Sequence, residues 1–277
     1  MISFGSNVLS LFVNRAQANN ARAGLQSARR LSSGFRINSA SDDAAGLAVS
    51  EQLRARVASF RQAERNTGSG LAMARTAESG AGGIDDALVR MRELAVQAAD
   101  GGLSSADRDL LNTEYQSLAA EVDRLSESTE FNGTELLSGA ANTVTYQVGI
   151  NTGAGNTIDV GFGGVSTASL GLSPSGIAGA DGSSASSAIS ALDGALQRIG
   201  TTRARFGAAI GRLQVAQDFT VGSRINLEAA RSTIADTDVA AEAARFAKSQ
   251  VRTRAGIGVA AAANQFPRVA LRLLGAP

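Results

Sequence analysis

Histidine, cysteine and tryptophan are all absent from these 277 residues, and Lys248 is the only lysine. Without imidazole or thiol there is no Ser-His-Asp triad, no cysteine nucleophile and no thiolate or imidazole metal site. Carboxylate-pair and Ser-Lys chemistry stay formally open, yet no constellation of residues points to either. The expectation is a chain that is not an enzyme and carries no metal or cofactor. No disulfide can form, so cysteine usage does not report the compartment. Neither sign of charge dominates: 26 Lys+Arg stand against 25 Asp+Glu. That balance argues for neither a nucleic-acid groove nor a polybasic membrane patch. A long apolar run is missing too. The longest, near "AGIGVAAAAN" (255–264), falls well short of the roughly 20 residues that span a bilayer. The start, "MISFGSNVLSLFVNRAQ", lacks a basic region followed by a sustained apolar one, so it does not read as a Sec-type signal.

What is present is helical periodicity at both ends. Leu11, Ala18, Ala21, Leu25 and Ala28 fall at 3/4 spacing in a narrow stripe made mostly of alanine. Ile84, Leu88, Met91, Ala95 and Ala98 make a second run, and Leu111, Tyr115, Leu118, Val122 and Leu125 a third. Before the third, Ser104 or Ser105 can cap the helix, with Asp107 in its first turn where the dipole favours an anion. From Ile189 to Ile234, through Leu196, Phe206, Ile210 and Leu213, strict 3-4 alternation reads as a coiled-coil seam with polar interruptions. One such helix cannot bury its stripe alone, so the two ends of the chain are expected to pack together. Glycines at 68, 70, 80, 82 and 83 imply either close interhelix approach or a local break.

The middle differs. "TVTYQVGI" (143–150) alternates like a strand and "NTIDVGF" (156–162) can pair with it across a glycine-rich turn. "NGT" (132–134) reads as a turn. Residues 163–187 are low in bulk and rich in Gly and Ser, and read as a short loop or tip. The fold class is therefore mainly α: a long antiparallel helical hairpin or coiled-coil bundle with a small β-hairpin near mid-chain.

One stretch, "LSSGFRINSASDDAAGLAVSEQLRARV" (31–57), sets an acidic pair after a glycine. Gly34 can end one helix, and Ser41 can cap the next with Asp42 and Asp43 in its first turn. Adjacent carboxylates on a helix do not face each other, so an acid/base pair is excluded. The calcium-loop ligand spacing is lacking as well. The segment is a joint.

This stretch resembles, close to residue for residue, the signature of bacterial flagellins. The likeness continues in "VRMRELAVQAAD" (89–100), "EVDRLSESTEFNGTELLSG" (121–139), "INLEAARSTIADTDVAAEAARFAKSQVRTRAG" (225–256) and "ANQFPRVALRLL" (263–274). Two departures stand in the last block: Ala262 replaces the glutamine of the family's usual Gln-Ala-Asn, and Arg268 and Arg272 lie among the terminal apolar residues. The resemblance implies a minimal flagellin, a structural subunit polymerising head-to-tail into a helical filament for motility. It implies a discontinuous inner-tube part, 1–42 with 238–277, whose residues 32–42 form a spoke. It further implies an outer-tube part, 43–237, with β structure about 140–165 and the tip at 163–187.

On that resemblance Leu11, Ala18, Ala21, Leu25, Ala28, Val269, Leu271, Leu273 and Leu274 are inner-tube assembly residues. Gly34, Ser41, Asp42 and Asp43 form the spoke. Leu111, Leu118, Val122, Leu196, Phe206, Ile210 and Leu213 form the outer seam. Arg90, Leu94 and Glu114 match the patch that the innate Toll-like receptor for flagellin detects. The implied partners are other copies, an export chaperone, a filament cap protein and hook-associated proteins; the implied location is the extracellular filament, reached without a cleaved signal. A hook–filament junction protein of the same export system is the alternative. An enzyme would need an inserted catalytic domain, and a generic coiled-coil adaptor would share only the heptads.

Overall fold

The computed structural model describes residues 7–139, 142–172 and 176–273, with side chains described as far as residue 265. Six helices and four short strands follow in chain order. They are α1 (Val8–Ser33), α2 (Ala44–Ala98), α3 (Ser105–Ser128), β1 (Glu130–Phe131), β2 (Thr134–Glu135), β3 (Asn142–Gln147), β4 (Thr157–Phe162), α4 (Thr167–Leu170), α5 (Ser183–Ala235) and α6 (Val239–Leu273). The chain divides into two compact units, residues 1–55 with 226–277 and residues 56–225.

In the 56–225 unit the helices meet through an apolar core. Ala74, Ala77, Ala81, Ile84, Leu88 and Met91 of α2 are buried against Leu192, Ala195, Ile199, Phe206 and Leu213 of α5, with Tyr115 and Val122 of α3 closing the third side. Their 3-4 spacing is what one face of a helix requires. Ion pairs Glu64–Arg224 (3.2 Å), Asp85–Arg203 (2.7 Å) and Asp193–Arg92 (2.7 Å) rise in number along one helix as they fall along the other, so the pair is antiparallel. These ions are partly exposed and add little stability; the apolar burial decides. Of the expected seam, Val122, Phe206 and Leu213 are fully buried, while Leu111, Leu118, Leu196 and Ile210 are half-buried against the same core.

Glycines let other pieces come close. Gly70 lies under the Tyr146 ring and Gly80 against Thr129 and Leu137, where a Cβ would collide. α2 runs unbroken past both, so close approach is the reason for these two. β3 and β4 pair antiparallel with Val144 opposite Val160 and Tyr146 opposite Ile158. Alternation places Ile158, Val160 and Phe162 inward. Phe162 meets Phe206 at 5.8 Å between ring centres. Asn132 (φ 51°) and Gly133 (φ 75°) make the tight turn between β1 and β2, a dipeptide suited to left-handed backbone. Residues 140 and 141, inside the expected β region, lie outside the described residues.

The 163–187 segment is a correction. Among its described residues it is anchored rather than free: Val165, Leu170, Leu172 and Ile177 are buried in the core, α4 is capped by Ser166, and α5 has already begun at Ser183, while residues 173–175 lie outside the described residues. Scattered single apolar residues anchor it, a pattern that has no helical or strand period.

The other unit pairs α1 with α6. Asn7 donates to the Ala263 carbonyl (2.8 Å), Gln17 to the Thr253 carbonyl (2.9 Å) and Ser27 to the Glu242 carboxylate (2.6 Å), so these helices too run antiparallel. The packing of the two chain ends is as the sequence implies.

Candidate functional site

The α1–α6 seam is not the alanine–leucine stripe. The residues of α1 that turn toward α6 are Val13, Gln17, Asn20, Gly24 and Ser27, again at 3-4 spacing, and they are mostly small or polar. Gly24 lets Ser249 come so close that a Cβ would touch its hydroxyl. Glu242, 3% exposed, is held by Ser27 (2.6 Å), Arg245 (3.2 Å) and Arg30 (3.9 Å).

The expected assembly residues point elsewhere. Leu11 and Leu25 are 64% and 61% exposed, Ala18 and Ala21 are exposed, and only Ala28 is half-buried. Val8, Leu9 and Phe12 join them on the open side of α1, and Val251, Ile257 and Val259 are exposed on α6. Side chains of Val269, Leu271 and Leu273, and Leu274 altogether, lie outside the described residues.

The joint is built from short-range ties. Gly34 closes α1 with φ 76°, the left-handed backbone that glycine adopts freely at a helix end. Its N–H is bonded to the Arg30 carbonyl (2.9 Å). The next residues clasp the returning chain. Arg36 N–H donates to the Ala235 carbonyl (2.7 Å) and Thr237 N–H to the Gly34 carbonyl (2.9 Å). The Arg231 guanidinium stacks 5.7 Å from the Phe35 ring centre, within cation–π reach.

The capping is corrected. Asp43, not Ser41, caps α2 by accepting from the Gly46 N–H (2.8 Å). Asp42 is not in the helix; its carboxylate accepts from the N–H groups of Asn38 (3.2 Å) and Ser39 (3.1 Å) and closes the preceding turn. Those bonds, led by the Asn38 N–H, hold its carboxyl below the usual range. Ser41 pairs only with the Ser39 hydroxyl (2.8 Å). An aspartate reaches a backbone N–H three residues on as readily as a serine, so the sequence allowed both.

The receptor-type patch is split by the fold. Arg90 donates to Glu93 (2.9 Å) and Glu114 (2.8 Å), which raise its already high pKa, and all three are well exposed. Leu94 is 1% exposed and belongs to the core, so it is corrected from surface residue to core residue. Arg90 and Leu94 share a helix side only loosely, and the edge between core and surface passes between them.

One residue that sequence reasoning missed is Arg108. It is 3% exposed and donates to the carbonyls of Ala98 (2.8 Å), Asp100 (2.8 Å) and Ala180 (3.1 Å), tying the α2–α3 turn to the segment before α5. Its position beside the Ser104–Asp107 capping box was the available signal.

No helix among the described residues is long and apolar enough to cross a membrane. Residues 4–142 match the family described as bacterial flagellin N-terminal helical region, and residues 189–274 its C-terminal helical region. The chain belongs to the bacterial flagellin family. It is 36% identical to a flagellin of Halalkalibacterium halodurans, over 97% of this chain and 98% of that one. It is 35% identical to the flagellar filament 33 kDa core protein of Treponema phagedenis, again over 97% and 98%. The crystal structure of Bacillus cereus flagellin superposes with a TM-score of 0.50 at 31% identity, covering 56% of this chain and 88% of that one.

Proposed function

We propose that the chain is the structural subunit of a bacterial flagellar filament, adding head-to-tail to copies of itself outside the cell. Membership of a family of structural filament proteins supports the reading, and the observation that carries it is the open apolar side of α1 and α6. Heterologous contacts that do not close into a ring generate an open helix, so one pair of complementary patches, repeated from copy to copy, suffices to build a tube. In this reading residues 1–42 with 238–277 form the inner tube, with a spoke at 32–42, and 43–237 form the outer tube. Full-length relatives that are flagellins and filament core proteins favour this over a hook–filament junction protein.

The further partners belong to the same proposal. The chain leaves the cell through the flagellar export route, its C-terminal segment held by a dedicated chaperone, and is received by hook-associated proteins and a filament cap. An innate receptor for flagellin would meet the exposed Arg90–Glu114 pair. The test is seeded growth: purified chain added to filament fragments builds tubes seen in negative stain, and a chain lacking residues 1–33 and 239–277 does not. Tubes built equally well by the shortened chain would end the proposal.

A further inference from the structure

The balanced total charge hides a segregation. α1 carries Arg15, Arg22, Arg29 and Arg30 and no acid, while α6 carries six cations and the single carboxylate of Glu242. Across the seam Arg30 (3.9 Å) and Arg245 (3.2 Å) reach the same oxygen of Glu242, so like charges from the two helices stand within the Debye length of about 8 Å at physiological salt. Beside that seam lies a groove of about 350 Å³, walled by both helices. Arg30 reaches it from α1, and Arg245, Lys248 and Arg252 from α6, with Gln26 and Ser27 supplying polar groups.

The one carboxylate there is already engaged by Ser27, Arg245 and Arg30. Arg30 Nε is buried without a hydrogen-bond partner. Lys248 and Arg252 have no ion-pair partner among the described residues. Glu242 lines the groove and Asp42 stands at its edge, accepting from Gln26 (3.4 Å) near Arg30; four cations against these two carboxylates still leave an excess that one further carboxylate would not neutralise. A multiply charged tetrahedral oxyanion would, and guanidinium forks match its geometry. The volume exceeds a water's share of roughly 30 Å³ about tenfold, enough for such an ion with its remaining water.

We propose that this groove binds a multivalent oxyanion of the phosphate or sulfate class, and that the bound ion clamps α1 to α6. The clamp acts within one copy and does not depend on the filament reading. It makes the order of the terminal pair respond to the surrounding anion.

The experiment is amide hydrogen exchange on the full-length monomer, titrated with inorganic phosphate and with pyrophosphate. Sodium chloride and sodium succinate at equal ionic strength are the comparisons. At ten times the dissociation constant, linkage slows exchange in α1 and α6 about tenfold. The slowing saturates, is absent with chloride, and leaves the 56–225 unit unchanged. Lys248→Ala with Arg252→Ala abolishes it; Arg254→Ala, which removes a like charge outside the groove, keeps it. Equal slowing by chloride would mean screening alone. Equal slowing by succinate would mean a carboxylate site, and equal loss in Arg254→Ala an effect of net charge. Each of those overturns the proposal, as does the absence of any saturable slowing in the unaltered chain, whatever the variants do.

Discussion

The two helical units solve opposite problems with the same period. In the 56–225 unit the apolar side of each helix turns inward: Ile84, Leu88, Leu192 and Ile199 have no exposed surface. In the terminal unit the seam is small and polar, and the larger apolar side chains of α1 look out, with Phe12 73% exposed. Burial of apolar area is the main favourable term in folding. The 56–225 unit therefore holds itself together, whereas isolated helices without such burial are marginal in water. The contrast teaches that an apolar stripe reports where a helix will finally be buried, which need not be within its own chain.

The comparison can be broken first in the core. Leu88→Ala should destabilise the 56–225 unit by about 2–5 kcal/mol in denaturant unfolding. Leu25→Ala, an equal truncation on the exposed side of α1, should change monomer stability by less than about 0.5 kcal/mol. It should instead raise the concentration needed for seeded growth. Similar losses from both would erase the distinction.

Arg108→Ala comes next. It strands three carbonyls at the α2–α3 turn and should cost on the order of 3 kcal/mol, seen as a lowered unfolding midpoint with faster exchange around residues 98–108. The smallest effect is at the α3 cap. Ser104→Ala should cost about 1 kcal/mol. The same cap gives a pH dependence. The Ser104 hydroxyl and N–H hold the Asp107 carboxyl below its usual range, so the folded pKa is lower than the unfolded one. Its contribution is complete above the unfolded value, near about 4, and is lost as pH falls through the folded value. Acid unfolding of the 56–225 unit should shift accordingly, and Asp107→Asn should flatten that slope.

Much of this was legible in the residues. The burial of Val122, Phe206 and Leu213, the β3–β4 hairpin, the Asn132-Gly133 turn and the Gly34 helix end follow from period and local backbone preference. These are short-range properties. The capping shift from Ser41 to Asp43 was not legible, because three candidate side chains stand in a row and the loop before them chooses. Leu94 was misplaced because a patch carried over by resemblance does not say where the core edge falls. The burial of Val165, Leu170 and Ile177 escaped because single anchors in a Gly/Ser segment show no period. The α1–α6 seam escaped because Gln17, Gly24 and Ser27, which form it, are small or polar and leave no mark in an apolar period.

The most direct measurement is residue-resolved amide exchange on the free monomer in chloride buffer and on the assembled polymer. The account requires α1 and α6 to exchange quickly in the monomer while the buried turns of α2, α3 and α5 are protected, and requires both sets to be protected after assembly. Terminal helices as slow as the core in the free monomer would contradict it.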